Sequence, residues 1–457
     1  MDAIDLRTLA DAVGGQIRGE APRLRGVSID SRHCGSDDVF FALPGERTDG
    51  HGFVPELAGV AAAAVVEEWV DVPVPQCRVL STRGALTALA RWNRERSPAR
   101  FIGLTGSNGK TSVKEILAGV LAQVGETLAT EGNYNNELGV PLTLCRVGTE
   151  HDYAVIEMGA NAHGDIAHLT GIARPEVGLI TNAAAAHLKG FGSLAGVASA
   201  KGELYNSLPS TGVGVVNAED RFADQWRRMI GDRRYLSFAA DHGEADVVAR
   251  REGKQLVLDL PTTTLRTDFP LLGRHNRLNA AAVAAVAVAL ELPHTAIANG
   301  LARAQPVPGR LNRRYSVAGG IVIDDSYNAN PGSLTAAIDV LADEPGERCL
   351  VLGDMAELGS DAESCHRQAG ELACDRGIER VMALGDYASA VADGFGAAGE
   401  AFSEREALVA RLADLDQANA VFLVKGSRSA SMDKVAELIA TDSASDQRGG
   451  RNAFAHH

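Results

Sequence analysis

The sequence lacks the features that mark several large classes of protein. Its 457 residues include six cysteines, and none of these forms a Cys-x-x-Cys pair or lies near a group of histidines. We therefore expect reduced thiols rather than a disulfide framework or a zinc site. Aromatic residues make up 5% of the chain and charged residues 23%, a composition that is typical of globular proteins and argues against disordered or fibrous ones.

Long apolar runs and basic runs are also missing. The most apolar stretch, Leu278 to Leu290, is alanine-rich and far below the about 20 residues that a membrane span needs, so we interpret it as a buried helix. Asp2 and Asp5 stand where a secretory signal would carry positive charge. The chain has 44 Lys and Arg residues and 59 Asp and Glu residues, so its net charge is −15. This negative charge argues against a surface that binds nucleic acid or membrane. We expect a cytoplasmic protein.

The length predicts about three domains, each able to bury its own core. We place them at residues 1–98, 99–309 and 310–457, and expect the polar tail from about residue 441 to be disordered. The first boundary follows a charged segment, and the second follows two prolines and a glycine. The predicted fold class is α/β, with a small N-terminal α/β domain, a central parallel-sheet domain and a C-terminal Rossmann-like domain.

The strand pattern supports this fold class. Strands and helices alternate from Phe101 onwards, which is typical of a parallel sheet covered by helices. Residues 246–270 alternate in period two and predict an antiparallel hairpin at the edge of that sheet. In the last domain, four apolar segments recur between helical patterns and predict a second sheet: GGIVIDDS, RCLVLGDM, RVMALG and AVFLVKGS.

The strongest local motif, TGSNGKTS at residues 105–112, follows a strand that ends at Leu104 and precedes a helix predicted from about Thr111. Glycines let backbone N–H groups close around phosphate oxygens at a helix N-terminus, Lys110 adds positive charge, and the Thr111 hydroxyl can bind Mg²⁺. The loop is shorter than the pattern G-x-x-x-x-G-K-[ST], whose first glycine is replaced by Leu104. We interpret it as a nucleotide-binding loop formed by Gly106, Ser107, Asn108, Gly109, Lys110, Thr111 and Ser112.

Polar residues follow three further strands, at the sheet edge where ligands bind in parallel α/β folds. They are Glu157 after one strand, Asn182 and His187 after another, and Asn133, Asn135 and Asn136 after a third. Carboxylate and imidazole groups near Thr111 would form a plausible Mg²⁺ shell, although imidazole is not the usual ligand of magnesium. Taken singly, Glu157 could instead cap a helix, and His187 could be a partly buried structural histidine.

Other polar positions have a structural as well as a functional interpretation. By default Lys201 is a solvated lysine on a helix surface, and Asn279 is the cap of the alanine-rich helix. Arg310, at the second domain boundary, could reach a phosphate or a surface carboxylate. Asp325 ends a strand within the polar segment 324–330, and this crowding indicates a site rather than packing.

Taken together, these motifs resemble the Mur ligase family, ATP-dependent amide-forming enzymes that assemble the peptide of bacterial cell-wall precursors. The family pattern T-G-[ST]-N-G-K-T stands at residues 105–111 and accounts for the short loop. Other family motifs follow in the expected order over nearly the whole chain: Asn133 to Pro141, Glu157 to Gly159, His187, Lys201 to Glu203, His275-Asn276 with Asn279, and Gly309-Arg310.

Within the family, three segments resemble the branch that adds D-alanyl-D-alanine: DSYNANP at 325–331, LGDMAELG at 352–359 and VKGSRS at 424–429. The D-N-P-[RA] signature of the branch that adds diaminopimelate or lysine is not found in the last domain. The resemblance implies an ATP-dependent ligase that joins D-alanyl-D-alanine to UDP-N-acetylmuramoyl-tripeptide through an acyl phosphate, in peptidoglycan synthesis. Whether the tripeptide carries lysine or diaminopimelate stays open.

The resemblance also implies roles for individual residues. Two Mg²⁺ ions would be held by Thr111, Glu157, His187 and Lys201, with Lys201 carbamylated by CO₂. Catalysis would involve Lys110, His187, Lys201 and Asn136. Around ATP, Asn279 would contact the adenine, Arg310 a terminal phosphate and Asp325 the ribose. The UDP-substrate and the dipeptide would contact Ser31, Arg32, Asn135, Asn136, Tyr327, Asn328, Asn330 and Arg428.

Because these residues lie on both sides of residue 309, the third domain is expected to swing onto the second. The expected partners are the small-molecule substrates, and nothing in the sequence demands an oligomer.

A sibling ligase that adds the third residue, or a folylpolyglutamate synthase, would share the central motifs and differ in the amine accepted. A regulatory or scaffold protein would be expected to have lost Lys110, Glu157 or His187, and a P-loop kinase or GTPase would not explain the two flanking domains.

Overall fold

The computed structural model describes residues 1–45, 48–184, 188–241 and 243–441. Within these ranges the chain forms sheets of two, five, nine and seven strands, with helices packed against them. The tail that we expect to be disordered lies beyond Thr441, outside the described residues. None of the helices in the described ranges has the length and apolar character that crossing a bilayer requires.

The N-terminal part is a small sheet of mainly parallel strands. Strands β4 to β7 run parallel, β2 joins β7 in the antiparallel direction, and β1 pairs with β3 beside this sheet. The elements are β1 Ile4–Asp5, α1 Leu6–Val13, β2 Gln16–Arg18, β3 Arg23–Leu24, β4 Gly26–Ser28, β5 Asp38–Phe41, β6 Ala63–Val66, β7 Gln76–Arg78 and α2 Thr82–Arg96, with 3₁₀ turns at Ser31–His33 and Gly50–Leu57.

The central part is a larger sheet with the order β16-β15-β14-β13-β12-β11-β8-β10-β9. Its elements are β8 Arg100–Thr105, α3 Lys110–Leu121, β9 Thr127–Ala129, α4 Gly139–Cys145, β10 Tyr153–Glu157, α5 Asp165–Ala173, β11 Val177–Ile180, α6 Leu188–Phe191, α7 Leu194–Asn206, β12 Val213–Asn217, α8 Ala223–Ile230, β13 Tyr235–Ala240, β14 Val247–Glu252, β15 Gln255–Leu260, β16 Thr263–Asp268, α9 Arg274–Ala289 and α10 His294–Ala302. β8 to β14 are parallel, and the antiparallel hairpin predicted at the edge is a three-stranded β14-β15-β16 unit.

The C-terminal part forms the second parallel sheet, and its four predicted strands are β18, β19, β20 and β22. Its elements are β17 Asn312–Ser316, β18 Ile321–Asp325, α11 Pro331–Ala342, β19 Glu347–Gly353, α12 Ala362–Asp375, β20 Arg380–Leu384, α13 Ala388–Phe395, β21 Gly399–Phe402, α14 Arg405–Leu415, β22 Ala420–Lys425, α15 Asp433–Ile439 and β23 Ala440–Thr441, with 3₁₀ turns at Gly359–Asp361 and Arg428–Ala430. β17 and β23 join in the antiparallel direction.

The alanine-rich helix starts earlier than its apolar pattern indicates. α9 begins at Arg274 and is preceded by Gly273, so Asn279 lies in its second turn. The expectation that Asn279 caps this helix is therefore wrong. The run Ala280 to Ala287 is fully buried, because small side chains let α9 pack closely against α3 and the sheet.

The N-terminal and central parts share one apolar cluster, although each part also has a cluster formed by its own residues alone. Leu86 and Leu89 of α2 lie in the same apolar cluster as Phe101 and Leu144. Buried Asn93 of α2 donates two hydrogen bonds of 2.8 Å from Nδ2, to the carbonyl oxygens of Leu144 and Val147. The boundaries at residues 98 and 309 stay predictions of where folding units end.

We expect Asn93→Ala to lower the free energy of unfolding by about 2 kcal/mol, because two carbonyl groups at the end of α4 would stay buried without their donor. Urea denaturation checks this. Arg91→Ala, on the exposed face of the same helix, is the matched control and should change stability little. Equal effects of the two substitutions would contradict a stabilising contact through Asn93.

Candidate functional site

The loop of residues 105–112 connects β8 to the N-terminus of α3, and two of its glycines are required by geometry. Gly106 lies so close to Thr181 that a Cβ at this position would overlap the Thr181 hydroxyl oxygen. Gly109 has a φ of +81°, a conformation that side chains rarely adopt, and it immediately precedes α3. The short loop therefore reaches the helix through conformations that only glycine allows there.

The segment that follows β11 holds this loop in place. The Ser107 N–H donates to the Asn182 carbonyl oxygen at 3.0 Å, and the Asn108 N–H donates to Asn182 Oδ1 at 3.0 Å. Thr181 Oγ1 donates to the Asn108 carbonyl oxygen at 2.6 Å. These three bonds fix the backbone of the loop at Ser107 and Asn108.

Asn217 at the end of β12 and Asp220 just after it support that segment, and the motifs of the sequence point to neither. Asn217 Nδ2 donates to the Thr181 carbonyl oxygen at 2.8 Å, and Asp220 Oδ2 accepts the Ala183 N–H at 2.8 Å. Burial raises the pKa of the Asp220 carboxyl group. Their position at the carboxyl end of a parallel strand, on the same sheet edge as Glu157, is the signal that could have identified them.

Two lysines lie at the loop, of which Lys110 is half-buried and Lys201 is buried. Lys110 Nζ donates to the carbonyl oxygens of Gly106 at 2.9 Å and Ser107 at 3.4 Å, and burial lowers its pKa. Lys201 on α7 is only 4% exposed, so the expectation of a solvated surface lysine is wrong. Burial, together with the positive charge of Lys110, lowers the pKa of Lys201 to about 7.

Glu157 ends β10 beside the loop, as the strand pattern predicts. Thr111 Oγ1 donates to Glu157 Oε2 at 3.2 Å, and Asn135 Nδ2 donates to Glu157 Oε1 at 2.9 Å. The carboxylate therefore does not cap a helix, and α5 begins instead after Gly164. Among the described residues, neither Lys, Arg nor His forms an ion pair with this carboxylate, which is only 1% exposed. A buried carboxylate that is not engaged in a direct ion pair is suited to binding a cation.

One of the predicted metal ligands cannot be placed in the structure. His187 lies outside the described residues. Within the described ranges, no group of three His, Cys, Asp or Glu side chains forms a metal site by itself. Asn136, predicted to be catalytic, accepts the N–H groups of Leu138 and Gly139 at its Oδ1 atom and so stabilises the start of α4.

Arg310 lies between the central and C-terminal sheets. One of its terminal nitrogens donates to Thr111 Oγ1 at 3.1 Å, and its guanidinium stands 4.3 Å from the ring centre of Tyr327. Its Nε atom is buried and has no hydrogen-bond partner among the described residues. Arg310 therefore reaches the phosphate-binding loop rather than a surface carboxylate, and it retains an unused donor there.

A cavity of about 210 Å³ opens next to Arg310. It lies between the start of α3, the start of α9 with the residues before it, and the segment 305–313, and its lining includes Ser112, Leu271, Asn276, Pro306 and Leu311. Asn279 donates from Nδ2 to Asn276 Oδ1 at 3.1 Å, so the two amides form a pair beside the loop.

The polar segment after β18 is held by a buried ion pair. Lys425 is 2% exposed and donates from Nζ to Asp325 Oδ2 at 2.5 Å and to the Asn328 carbonyl oxygen at 2.9 Å. Asp325 Oδ1 also accepts the Leu311 N–H. Arg428 is exposed, 6.0 Å from the Tyr327 ring centre. Lys425 fell within a family motif, but no role was predicted for it.

Not every predicted binding residue joins this cluster. Ser31 and Arg32 lie in the 3₁₀ turn of the N-terminal part, where Arg32 forms an exposed ion pair with Asp30 at 2.7 Å. Asn330 is brought into the cluster, since its Nδ2 donates to Asn108 Oδ1 at 2.8 Å. No described hydrogen bond or ion pair connects Ser31 or Arg32 to the loop.

Comparison with known proteins agrees with this arrangement. Three family models match the chain: the Mur ligase family catalytic domain at residues 23–93, the Mur ligase middle domain at 104–287, and the Mur ligase glutamate ligase domain at 309–428. The chain belongs to the Mur ligase family. This Mur ligase is 44% identical to the UDP-N-acetylmuramoyl-tripeptide--D-alanyl-D-alanine ligase of Escherichia coli, over 96% of this chain and 99% of that protein.

Two solved structures resemble this Mur ligase over almost their whole length. MurF from Acinetobacter baumannii matches with a TM-score of 0.89 and 35% identity, over 96% of this chain and 99% of that one. MurF from Thermotoga maritima, solved in complex with ADP, matches with a TM-score of 0.79 and 28% identity, over 91% of this chain and 96% of that one. The α/β architecture read from the sequence is confirmed by these likenesses.

We expect Gly106→Ala to weaken nucleotide binding at least tenfold, because the added Cβ would push the loop away from Thr181. Calorimetric titration with ADP measures this. Gly119→Ala is the matched control, since Gly119 lies within α3 and has open space around it; it should bind ADP normally and be slightly more stable. Normal ADP binding by Gly106→Ala would contradict the role of the loop.

Proposed function

We propose that this Mur ligase joins D-alanyl-D-alanine to UDP-N-acetylmuramoyl-tripeptide and converts ATP to ADP and phosphate, as one step of peptidoglycan precursor synthesis in the cytoplasm. The observation that carries this proposal is the 44% identity to a ligase with that name over nearly the full length of both chains. The cationic side chains of Lys110, Lys201 and Arg310 at the phosphate-binding loop support it independently. We expect the enzyme to act as a monomer on small-molecule substrates.

The chemical problem is to bring several anions into line. In the proposed reaction the terminal carboxylate of the tripeptide takes the γ-phosphoryl group of ATP, and the amine of D-alanyl-D-alanine then displaces phosphate to form the amide. Lys110 and Arg310 both lie at the loop, where their positive charges would offset the repulsion between the phosphates and the carboxylate. Gly106, Ser107, Asn108, Gly109, Thr111 and Ser112 would surround the phosphates.

We propose that the nucleotide base and sugar lie towards the segment 305–313. The cavity lined by Asn276 and Ser112 lies beside the loop, which supports placing the adenine there, with Asn279 as the predicted contact. We propose that the unpartnered Nε of Arg310 donates to a terminal phosphate. Asp325 is the proposed ribose contact, and its carboxylate would have to accept from the ribose while it remains paired with Lys425.

The residues present fit magnesium, which when bound would neutralise phosphate charge. Hard cations such as Mg²⁺ prefer oxygen ligands. Thr111 supplies a hydroxyl oxygen and Glu157 a carboxylate oxygen, and the two groups are hydrogen-bonded to each other. We propose that they hold one ion and that His187 and Lys201 help to place a second.

A protonated lysine cannot bind a metal, so the role of Lys201 depends on its chemistry. With a pKa of about 7, much of Lys201 is an uncharged amine at neutral pH. Such an amine attacks CO₂ to form a carbamate and release one proton, which turns a buried cation into a carboxylate-like ligand. This supports the proposal that Lys201 is carbamylated.

The substrate contacts are proposed from the motifs and their surroundings. Ser31 and Arg32 would bind the UDP-substrate, and Asn135 and Asn136 would act near Glu157, where Asn135 already donates to the carboxylate. Asn136 keeps its Nδ2 group for a substrate while its Oδ1 stabilises α4. At the C-terminal sheet, the proposed dipeptide contacts are Tyr327, Asn328 and Arg428.

An amine panel tests the proposed reaction. With ATP, Mg²⁺ and UDP-N-acetylmuramoyl-tripeptide, we expect phosphate release to depend on D-alanyl-D-alanine and to be near background with lysine, diaminopimelate or glutamate. Running both lysine- and diaminopimelate-containing tripeptides identifies the natural substrate. Phosphate release driven by a single amino acid instead of the dipeptide would contradict the proposal.

Lys201→Ala tests the proposed carbamate. We expect activity to fall at least a hundredfold, and acetate to restore part of it by supplying a carboxylate to the vacated space. Lys254→Ala, which changes an exposed lysine on the β14-β15 turn, is the control and should keep full activity without an acetate effect. An active Lys201→Ala enzyme, or an inactive one that no small acid restores, would count against carbamylation.

A further inference from the structure

In addition to the contact between Arg310 and Thr111, a hydrogen bond between two asparagine side chains joins the phosphate-binding loop to the C-terminal part. Asn330 Nδ2 donates to Asn108 Oδ1 at 2.8 Å, across 222 positions of the chain. Asn330 comes immediately before α11, and Asn108 is in the middle of the loop before α3. The bond therefore connects the starts of two helices, α3 of the central part and α11 of the C-terminal part.

The orientation of the Asn330 amide is set by its own helix. Asn330 Oδ1 accepts the Ser333 N–H at 2.9 Å, and the Asn330 N–H donates to Ser333 Oγ at 3.1 Å, which forms a capping box. Because the oxygen is used within α11, the NH₂ group must point away from the helix. It points at the loop.

Asn108 is equally constrained. Its N–H and carbonyl groups are fixed by Asn182 and Thr181, so its side chain is the part of the residue that faces α11. A Cβ added to Gly332 would stand 3.5 Å from Asn108 Nδ2, so the first turn of α11 already packs against the loop. The loop and α11 thus meet through two preorganised groups.

We infer that Asn330 is a positioning residue that docks the C-terminal sheet on the phosphate-binding loop through Asn108, rather than a ligand of the dipeptide. Asn330 lies two residues from Asn328, whose carbonyl oxygen is held by Lys425. Docking at Asn108 therefore sets where the polar segment 325–330 lies relative to the bound phosphates. The inference rests on the proposed function for its kinetic test and on the contacts alone for its structural test.

Asn330→Ser separates docking from capping. Serine is as good an N-cap as asparagine, but its side chain is too short to reach Asn108. Ser333→Ala is the matched control, because it removes half of the capping box and leaves the bond to Asn108 in place. Asn108→Ala removes the acceptor without changing the backbone bonds of the loop.

We expect Asn330→Ser and Asn108→Ala each to lower kcat about fivefold to tenfold, and the double variant to lose no more than either one, since all three lack the same bond. The affinity for the UDP-substrate should not change. Ser333→Ala should keep kcat within twofold. Multiplicative losses in the double variant, or an equal loss in Ser333→Ala, would overturn the inference.

A scattering measurement tests docking without relying on activity. With ADP bound, small-angle X-ray scattering should give a larger radius of gyration for Asn330→Ser and Asn108→Ala than for the unmodified enzyme and Ser333→Ala. Identical radii for all four proteins would overturn the inference. If the unmodified enzyme makes no amide, the proposed function fails, and the scattering result still decides whether Asn330 docks the sheet.

Discussion

Uncompensated positive charge in a confined space is the constraint on which this site depends. Lys201 is buried and Lys110 is half-buried at the same loop, and desolvation is the main cause of the lowered pKa of each. Arg310 adds a third cationic group with an unused donor, while Glu157 is the nearby carboxylate. Buried ammonium groups are costly unless they are neutralised or paired. A bound polyphosphate would supply the missing negative charge, so the site is electrostatically prepared for its substrate.

The sheet topology explains why these groups meet. β11, β8 and β10 are neighbours in the central sheet, and all three run parallel. Their carboxyl ends therefore place the segment after Ile180, the phosphate-binding loop and Glu157 along one edge. The second sheet reaches this edge through Arg310 and Asn330. The site thus combines rigid strand ends from one sheet with two side chains that arrive from the next.

Much of this site could be predicted from the sequence, because strand ends and motif residues are recognised from local sequence patterns. The contact between Thr111 and Glu157 follows from strand ends meeting at one edge, and the structure contains it. Burial was less accessible: nothing within α7 indicates which face covers Lys201, so the default of a solvated lysine was wrong. Asn279 was misplaced as a cap because the polar first turn of α9 hid the start of the helix. The pairing of Asn108 with Asn330, and the core that α2 shares with the central sheet, depend on how distant segments pack, which sequence periodicity does not report.

The account is tested most directly by a crystal structure with Mg²⁺ and a non-hydrolysable ATP analogue. It predicts that Lys110 Nζ leaves the carbonyl oxygens of its own loop for the terminal phosphate group, and that a metal ion lies between that group, Thr111 and Glu157. Phosphates bound away from Lys110, or a Glu157 carboxylate that remains remote from any metal, would contradict it.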